Sequence, residues 1–384
     1  MAHLTKLKTY DIQNSNIALL GSDLEKHVRE HAGDSESAWN EAGSKPGLRI
    51  WRIESFNVVE WPDERIGSFY DGDSYIILHT YKKTPDSDAL WYDLHFWLGA
   101  ETTQDEAATA AYKTAELDDH LHGLPVQYRE VQGYESPRFL SYFPKFLCLK
   151  GGVATGFHHV TAVPPLDLQR LYRVHLSHGS GANNLLVREV SPEASSLVSG
   201  DVYVLDKGTQ LWQFNTKASS GKEKFTAAEF VQGLANERGG QCDVIVYDEG
   251  SPGAGIFLSE FGEGVTLRDA DAPEYLNVQP ALIRISDARG AAAFELVGPP
   301  SRASLNSSDA FLLDNSSDPL GPAVYVWLGN GASLNERRLA VQYAQDYLNR
   351  KMVQLSDRRV EVAIPVVKMN EGNESEDFFQ ALDA

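Results

Sequence analysis

Between Tyr75 and Tyr81, in "FYDGDSYIILHTY" (69–81), the run Tyr75, Ile76, Ile77, Leu78, Thr80, Tyr81 is apolar, aromatic or β-branched. That is the composition of a buried strand. The run opens on a Gly-Asp pair, so that Asp73 stands where burial begins. The same pattern returns in "SGDVYVLD" (199–206) and "SSDAFLLD" (307–314): two small residues, or one and a Gly, then Asp and an alternating apolar strand. Each copy is followed by a second strand carrying Trp, "DLHFWLGA" (93–100), "TQLWQFNT" (209–216) and "AVYVWLGN" (323–330). A polar loop and an acid opening a helix come next: Glu106 in "TTQDEAATAAY", Glu223 in "SSGKEKFTAAEF" and Glu336 in "SLNERRLAVQY".

A threefold order of strand, strand, helix predicts three repeats of roughly 110–120 residues, an ordinary domain size. Each opens on a basic-apolar strand: "LRIWRIE" after a Pro-Gly turn, "LQRLYRVHL" and "PALIRIS". The expected boundaries are 46–148, 166–262 and 280–384. A glycine-rich, proline-stopped linker (149–165) and a second linker (263–279) separate them. Residues 1–45 form an N-terminal extension in which Ser22 and Glu25 make a capping-box pattern and Gly33 a stop, predicting a short helix.

The recurring acids have an ordinary reading. Asp73, Asp201 and Asp309 would be turn residues, and Glu106, Glu223 and Glu336 would stabilise helix N-termini. Three pairs in one order favour a shared role. Calcium takes several oxygen ligands, carboxylate and carbonyl together. A Gly-Asp turn offers both, and a Glu from the following helix would close the shell, pinning strand to helix.

The helix predicted over 104–121 is alanine-rich. Only one of its faces can pack on its own sheet. Ala108, Ala111, Tyr112, Ala115 and Leu117 are small or apolar, and are either close-packing core positions or, around Tyr112, a second apolar stripe that meets a partner.

Composition then narrows the classes. The chain has 384 residues, 42% of them hydrophobic, enough for several cores. Net charge is −20, which disfavours nucleic acid or an anionic membrane as the main partner and suits hard cations. Two cysteines are too few for a disulfide framework, and "MAHLTKLKTYDIQN" has no apolar core of a secretory signal, so a cytoplasmic protein is expected. No Gly-x-Ser-x-Gly elbow or phosphate loop occurs, and His120/His122 and His158/His159 lack helical metal spacing, so no enzyme is expected.

"FYDGDSYIILHTY", "DLHFWLGAETTQDEAATAAYKTAELDDHL", "VQYREVQGYESPRFLSYFP" and "GGVATGFHHV" resemble the first repeat and first linker of the gelsolin family, especially its three-repeat members. Weaker likenesses, "SSLVSGDVYVLD", "ANERGG" and "SLNSSDAFLLDN", extend over the second and third repeats. The resemblance implies an α+β fold of three repeats, each a mixed sheet of about five strands between a long and a short helix. It implies calcium-activated actin binding, with severing of filaments and capping of barbed ends. It also implies a monomeric cytoskeletal protein.

The implied calcium ligands are the Gly72 and Val153 carbonyls with Asp73 and Glu106; then Gly200, Asp201 and Glu223; then Ser308, Asp309 and Glu336. A site shared with actin would use Asp118 and the Gly123 and Pro125 carbonyls, with Glu135 as a further carboxylate. Actin contacts would come from Ala108, Ala111, Tyr112 and Ala115, and from Arg188 and Lys224 in the second repeat. Phosphoinositide binding is expected to be weak, because Lys145, Lys150, Arg173 and Arg188 are the few basic residues in the relevant segments. A capping protein that does not sever, and a calcium-dependent enzyme or vesicle-binding module, are the competing readings.

Overall fold

The structure, a computed structural model, describes residues 36–152, 169–176, 184–269, 279–286, 293–318, 321–355 and 364–383. The helix expected around Ser22, most of the first linker with Val153, and most of the second linker lie outside the described residues.

The first repeat runs β1 (Gly47–Glu54), β2 (Asn57–Glu60), β3 (Ser68–Tyr70), β4 (Ser74–Tyr81), β5 (Trp91–Leu98), α1 (Gln104–His120), β6 (Val126–Val131), α2 (Pro137–Leu140), β7 (Lys145–Leu149). The second runs β8 (Arg170–Leu176), β9 (Leu185–Val190), β10 (Val202–Asp206), β11 (Gln210–Asn215), α3 (Gly221–Glu237), β12 (Asp243–Asp248), α4 (Ala254–Ser259). The third runs β13 (Ala281–Ser286), β14 (Ala293–Gly298), β15 (Ala310–Asn315), β16 (Ala323–Leu328), α5 (Leu334–Leu355), β17 (Val366–Asn370), α6 (Glu376–Leu382).

Each repeat contributes five strands in one spatial order, β2-β1-β4-β5-β6, β9-β8-β10-β11-β12 and β14-β13-β15-β16-β17. Hairpin-joined neighbours pair antiparallel, while β5–β6, β11–β12 and β16–β17 pair parallel because a long helix crosses between them. The central strands are nearly continuous apolar runs, since both faces are covered. Under the long helices lie Ala110 and Leu117 in the first repeat, Ala227, Phe230 and Val231 in the second, and Ala340, Ala344 and Leu348 in the third. On the opposite faces the short helices bury Phe139 and Leu140, Phe257, and Phe378 and Leu382.

The repeats do not stay separate, which their linkers had not suggested. Strand β17 pairs antiparallel with β6, Lys368 opposite Gln127, so the first and third repeats share one ten-stranded sheet. Val126 and Tyr128 of β6 belong to the third repeat's core. Strand β7 pairs parallel with both β9 and β3, which extends the second repeat's sheet to seven strands with pieces of the first. The end of the N-terminal extension is also part of the first repeat. Trp39 is fully buried against Trp51, and its indole donates to Glu116 on α1 at 2.9 Å.

Candidate metal centres and partner face

The three Asp residues occupy equivalent places. Asp73, Asp201 and Asp309 immediately precede or open β4, β10 and β15, and their carbonyls accept from Gly99, Thr216 and Gly329 N–H groups at 3.0, 3.4 and 3.1 Å. Asp73 is fully buried and Asp201 is buried; Asp309 is half-buried. The three Glu residues occupy equivalent helix-start places. Glu106 N donates to the Thr103 hydroxyl, and the Thr102 hydroxyl reaches toward the Glu106 carboxylate. Glu223 closes a capping box with Ser220 and also accepts from Leu176 N at 2.9 Å. Glu336 makes the same reciprocal pair with Ser333. Helix capping, the ordinary reading of these acids, is thus what Glu223 and Glu336 do here.

The donor set nonetheless fits a hard cation at the first repeat. Gly72 N donates to Gly151 O at 2.7 Å, and a Cβ on Gly152 would come within 2.5 Å of Asp73 Oδ1. Backbone therefore crowds against a buried carboxylate just before Val153, where only Gly fits. Ser74 Oγ, 2.8 Å from Thr102 Oγ1, links the strand mouth to the helix start that carries Glu106. Carboxylate, carbonyl and hydroxyl oxygens are calcium-type donors. Among the described residues no three His, Cys, Asp or Glu side chains form a metal-holding group. The sets expected from the sequence have only two carboxylates each, the rest being main-chain oxygen. Gly200 donates its N–H to Thr216 Oγ1, and Ser308 is exposed with its N–H on Asn306 Oδ1.

At the far end of α1 lie Asp118, Gly123 and Pro125. Gly123 takes φ +70°, and its N–H donates to Asp118 O at 2.8 Å. The third repeat covers this turn. Lys368 Nζ stands 3.6 Å from Asp118 Oδ2, Asn370 Nδ2 donates to Gly123 O at 2.9 Å, and Asn373 Nδ2 donates to Leu124 O. Burial pushes the Asp118 carboxyl up, with Lys368 opposing.

Glu135 does not join this turn. It follows the opposite end of β6, accepting from Trp97 Nε1 and Gly133 N and pairing with Arg188 at 2.7 Å. That pair also engages Arg188, one of the expected actin contacts. Its guanidinium is committed to the junction of the first and second repeats, where burial favours keeping its counter-ion. Lys224 is half-buried on α3 beside Phe225, which is 65% exposed.

On α1, Ala108 and Ala111 are exposed and Tyr112 and Ala115 half-buried, whereas Ala110, Thr114 and Leu117 face the sheet. Sequence reasoning missed Trp39, Glu116 and Lys113, which fasten the other flank of the helix; Lys113 Nζ bridges Glu36 and Glu116 at 2.9 and 3.0 Å. A lone Trp in the polar segment "SESAWNEAG" was the available signal. Burial pushes the Cys148 thiol up to about 12, which leaves it without nucleophilic character at neutral pH.

A family model described as "Gelsolin repeat" matches residues 55–140, 183–256 and 295–379, one stretch in each unit. The chain is 39% identical over its whole length to "Gelsolin-like protein 2" of Lumbricus terrestris, covering all of that protein. It is 42% identical to "Gelsolin-like protein 1" of the same organism, over 85% of this chain and 87% of that one. It is 36% identical to "Severin" of Echinococcus granulosus, over 91% and 92%. With three matched repeats of the observed architecture and full-length likeness to such relatives, this chain belongs to the gelsolin family.

Proposed function

We propose that this protein binds actin in a calcium-dependent manner, severs actin filaments and caps their barbed ends, acting as a cytoplasmic monomer by binding rather than by catalysis. The observation that carries the reading is α1. Its Ala108 and Ala111 are exposed and Tyr112 and Ala115 half-buried, on the face away from Ala110, Thr114 and Leu117, which pack on the sheet, and this small apolar stripe suits a helix that enters an apolar cleft.

Calcium would supply the divalent charge that the paired carboxylates call for. Asp73 and Glu106 with the Gly72 and Val153 carbonyls, Gly200 with Asp201 and Glu223, and Ser308 with Asp309 and Glu336 would hold it within the chain. Asp118, Gly123 and Pro125 would hold it at the actin contact. Lys368 and Asn370 contact Asp118 and Gly123 of that last set and Asn373 the carbonyl of Leu124, between Gly123 and Pro125, so in this reading the third repeat has to leave the first before actin can reach it. Lys224, beside exposed Phe225, offers a filament-side contact. Phosphoinositide binding is weak in this reading, since Arg173 and Arg188 are already paired with Asp201 and Glu135.

The pairing of Arg188 also favours a second reading, capping without severing, because it withdraws one cation from the filament-side surface. Imaging of single filaments with calcium and with chelator separates the two. Fragmentation only in calcium supports severing. Arrested barbed-end growth without breaks supports capping alone. Unaltered filaments in both conditions overturn the assignment.

A further inference from the structure

The same arginine recurs beside the candidate aspartate in every repeat. Arg52 on β1, Arg173 on β8 and Arg284 on β13 lie opposite Tyr75, Tyr203 and Phe311, and each of these aromatics stands two residues beyond its Asp. Side chains two apart share a face of a strand, so this register delivers a guanidinium to the carboxylate three times. Arg52 Nη1 is 3.3 Å from Asp73 Oδ2, Arg173 Nε is 2.5 Å from Asp201 Oδ2, and Arg284 Nη1 is 4.0 Å from Asp309 Oδ2. Two of the arginines are held from behind, Arg52 by Glu54 and by the Trp61 ring, and Arg284 by Glu295.

We propose that this first-strand arginine is an internal counter-cation, which occupies the aspartate of each repeat when calcium is absent and must be displaced for calcium to bind, so that it sets the calcium affinity of the site. The inference rests on the calcium reading above.

The charge count carries the argument. An Asp and a Glu supply two negative charges, which a divalent ion neutralises. A guanidinium left within 4 Å of the same carboxylate adds a positive charge that repels the ion. Without any cation, a carboxylate as buried as Asp73 or Asp201 would be costly to fold around, and the arginine offsets that cost. The two cations are therefore alternatives at one oxygen. Arg284, farthest from its aspartate and the most exposed of the three at 42%, is the weakest competitor.

The test uses the full chain and calcium alone, by calorimetric titration together with thermal unfolding in chelator and in calcium. Asp201→Asn identifies the second-repeat site in the wild-type isotherm. Arg173→Met keeps most of the stem and removes the charge. It is expected to tighten that site roughly tenfold, the scale of an opposite charge removed from beside a carboxylate. It should also lower the melting temperature in chelator and enlarge the rise on adding calcium. Arg173→Lys is expected to keep an affinity near wild type, and Arg284→Met to change its own site less than Arg173→Met does. Unchanged or weaker calcium affinity in a folded Arg173→Met protein overturns the proposal, because the arginine would then orient the aspartate rather than compete for it. If Arg173→Met does not fold, the ratio of Arg284→Met to wild-type affinity decides in the same way. A wild-type chain that takes up no calcium, or an isotherm that Asp201→Asn leaves unaltered, would instead overturn the calcium reading itself.

Discussion

Gly99 and Gly329 stand at equivalent turns after β5 and β16, and a Cβ on either would overlap the backbone carbonyl of Asp71 or Ser307. Both residues donate to the carbonyl of a candidate ligand, Asp73 or Asp309. Backbone cannot yield as a flexible side chain can, so Gly99→Ala should destabilise the first repeat by about 1–3 kcal/mol. It should also weaken calcium uptake there more than at the second repeat. Denaturant unfolding with calorimetry checks this, and an unchanged midpoint would refute it.

Asp314 gives a pH prediction of the same scale. Burial alone would raise its carboxyl, but Lys351 at 2.6 Å, with Ser316 and Tyr347, holds it below the usual carboxylate range. A lowered folded-state pKa gives stability that is fully present above the ordinary Asp value of about 3.9 and is lost as pH falls through the folded value. Lys351→Met leaves a buried carboxylate without its ammonium. It should cost about 2 kcal/mol at pH 7 and less at pH 3, seen as a flatter acid limb in melting temperature against pH.

At the scale of the element, α1 places its alanines on two faces. Ala110 is fully buried against the first repeat's sheet, while Ala108 and Ala111 are exposed. Tyr112→Asp is expected to reduce actin affinity at least a hundredfold with unchanged circular dichroism, since a charge would enter an apolar cleft unpaired. Ala110→Asp is expected to unfold the repeat instead. Normal capping by folded Tyr112→Asp would move the contact off this face.

At the scale of the whole molecule, the first and third repeats share one ten-stranded sheet, and in the proposed reading the third repeat would control partner access. A chain ending at Asp269 lacks Lys368, Asn370 and Asn373, so Asp118 and the Gly123 carbonyl are uncovered. It should bind monomeric actin in chelator at least tenfold more tightly than the full chain does. It should also be less soluble, because the β6 edge and the core side chains Val126 and Tyr128 lose their cover. Equal affinity of the two chains in chelator would show that the sheet junction does not regulate access.

Three repeats, the strand-strand-helix order, the placement of Asp73, Asp201 and Asp309 at strand mouths and of Glu106, Glu223 and Glu336 at helix starts were all legible in the sequence. The reason is locality. Strand alternation, turn residues and capping boxes are written within a few residues of where they act. Only the tertiary structure decided that β17 continues the first repeat's sheet, that Trp39 belongs to that repeat, and that Glu135 meets Arg188 rather than the turn at Asp118. Only cross-strand register put an arginine on each aspartate. Such pairings join residues 21 to 250 positions apart, and no local pattern specifies which exposed edge or which charge will meet which.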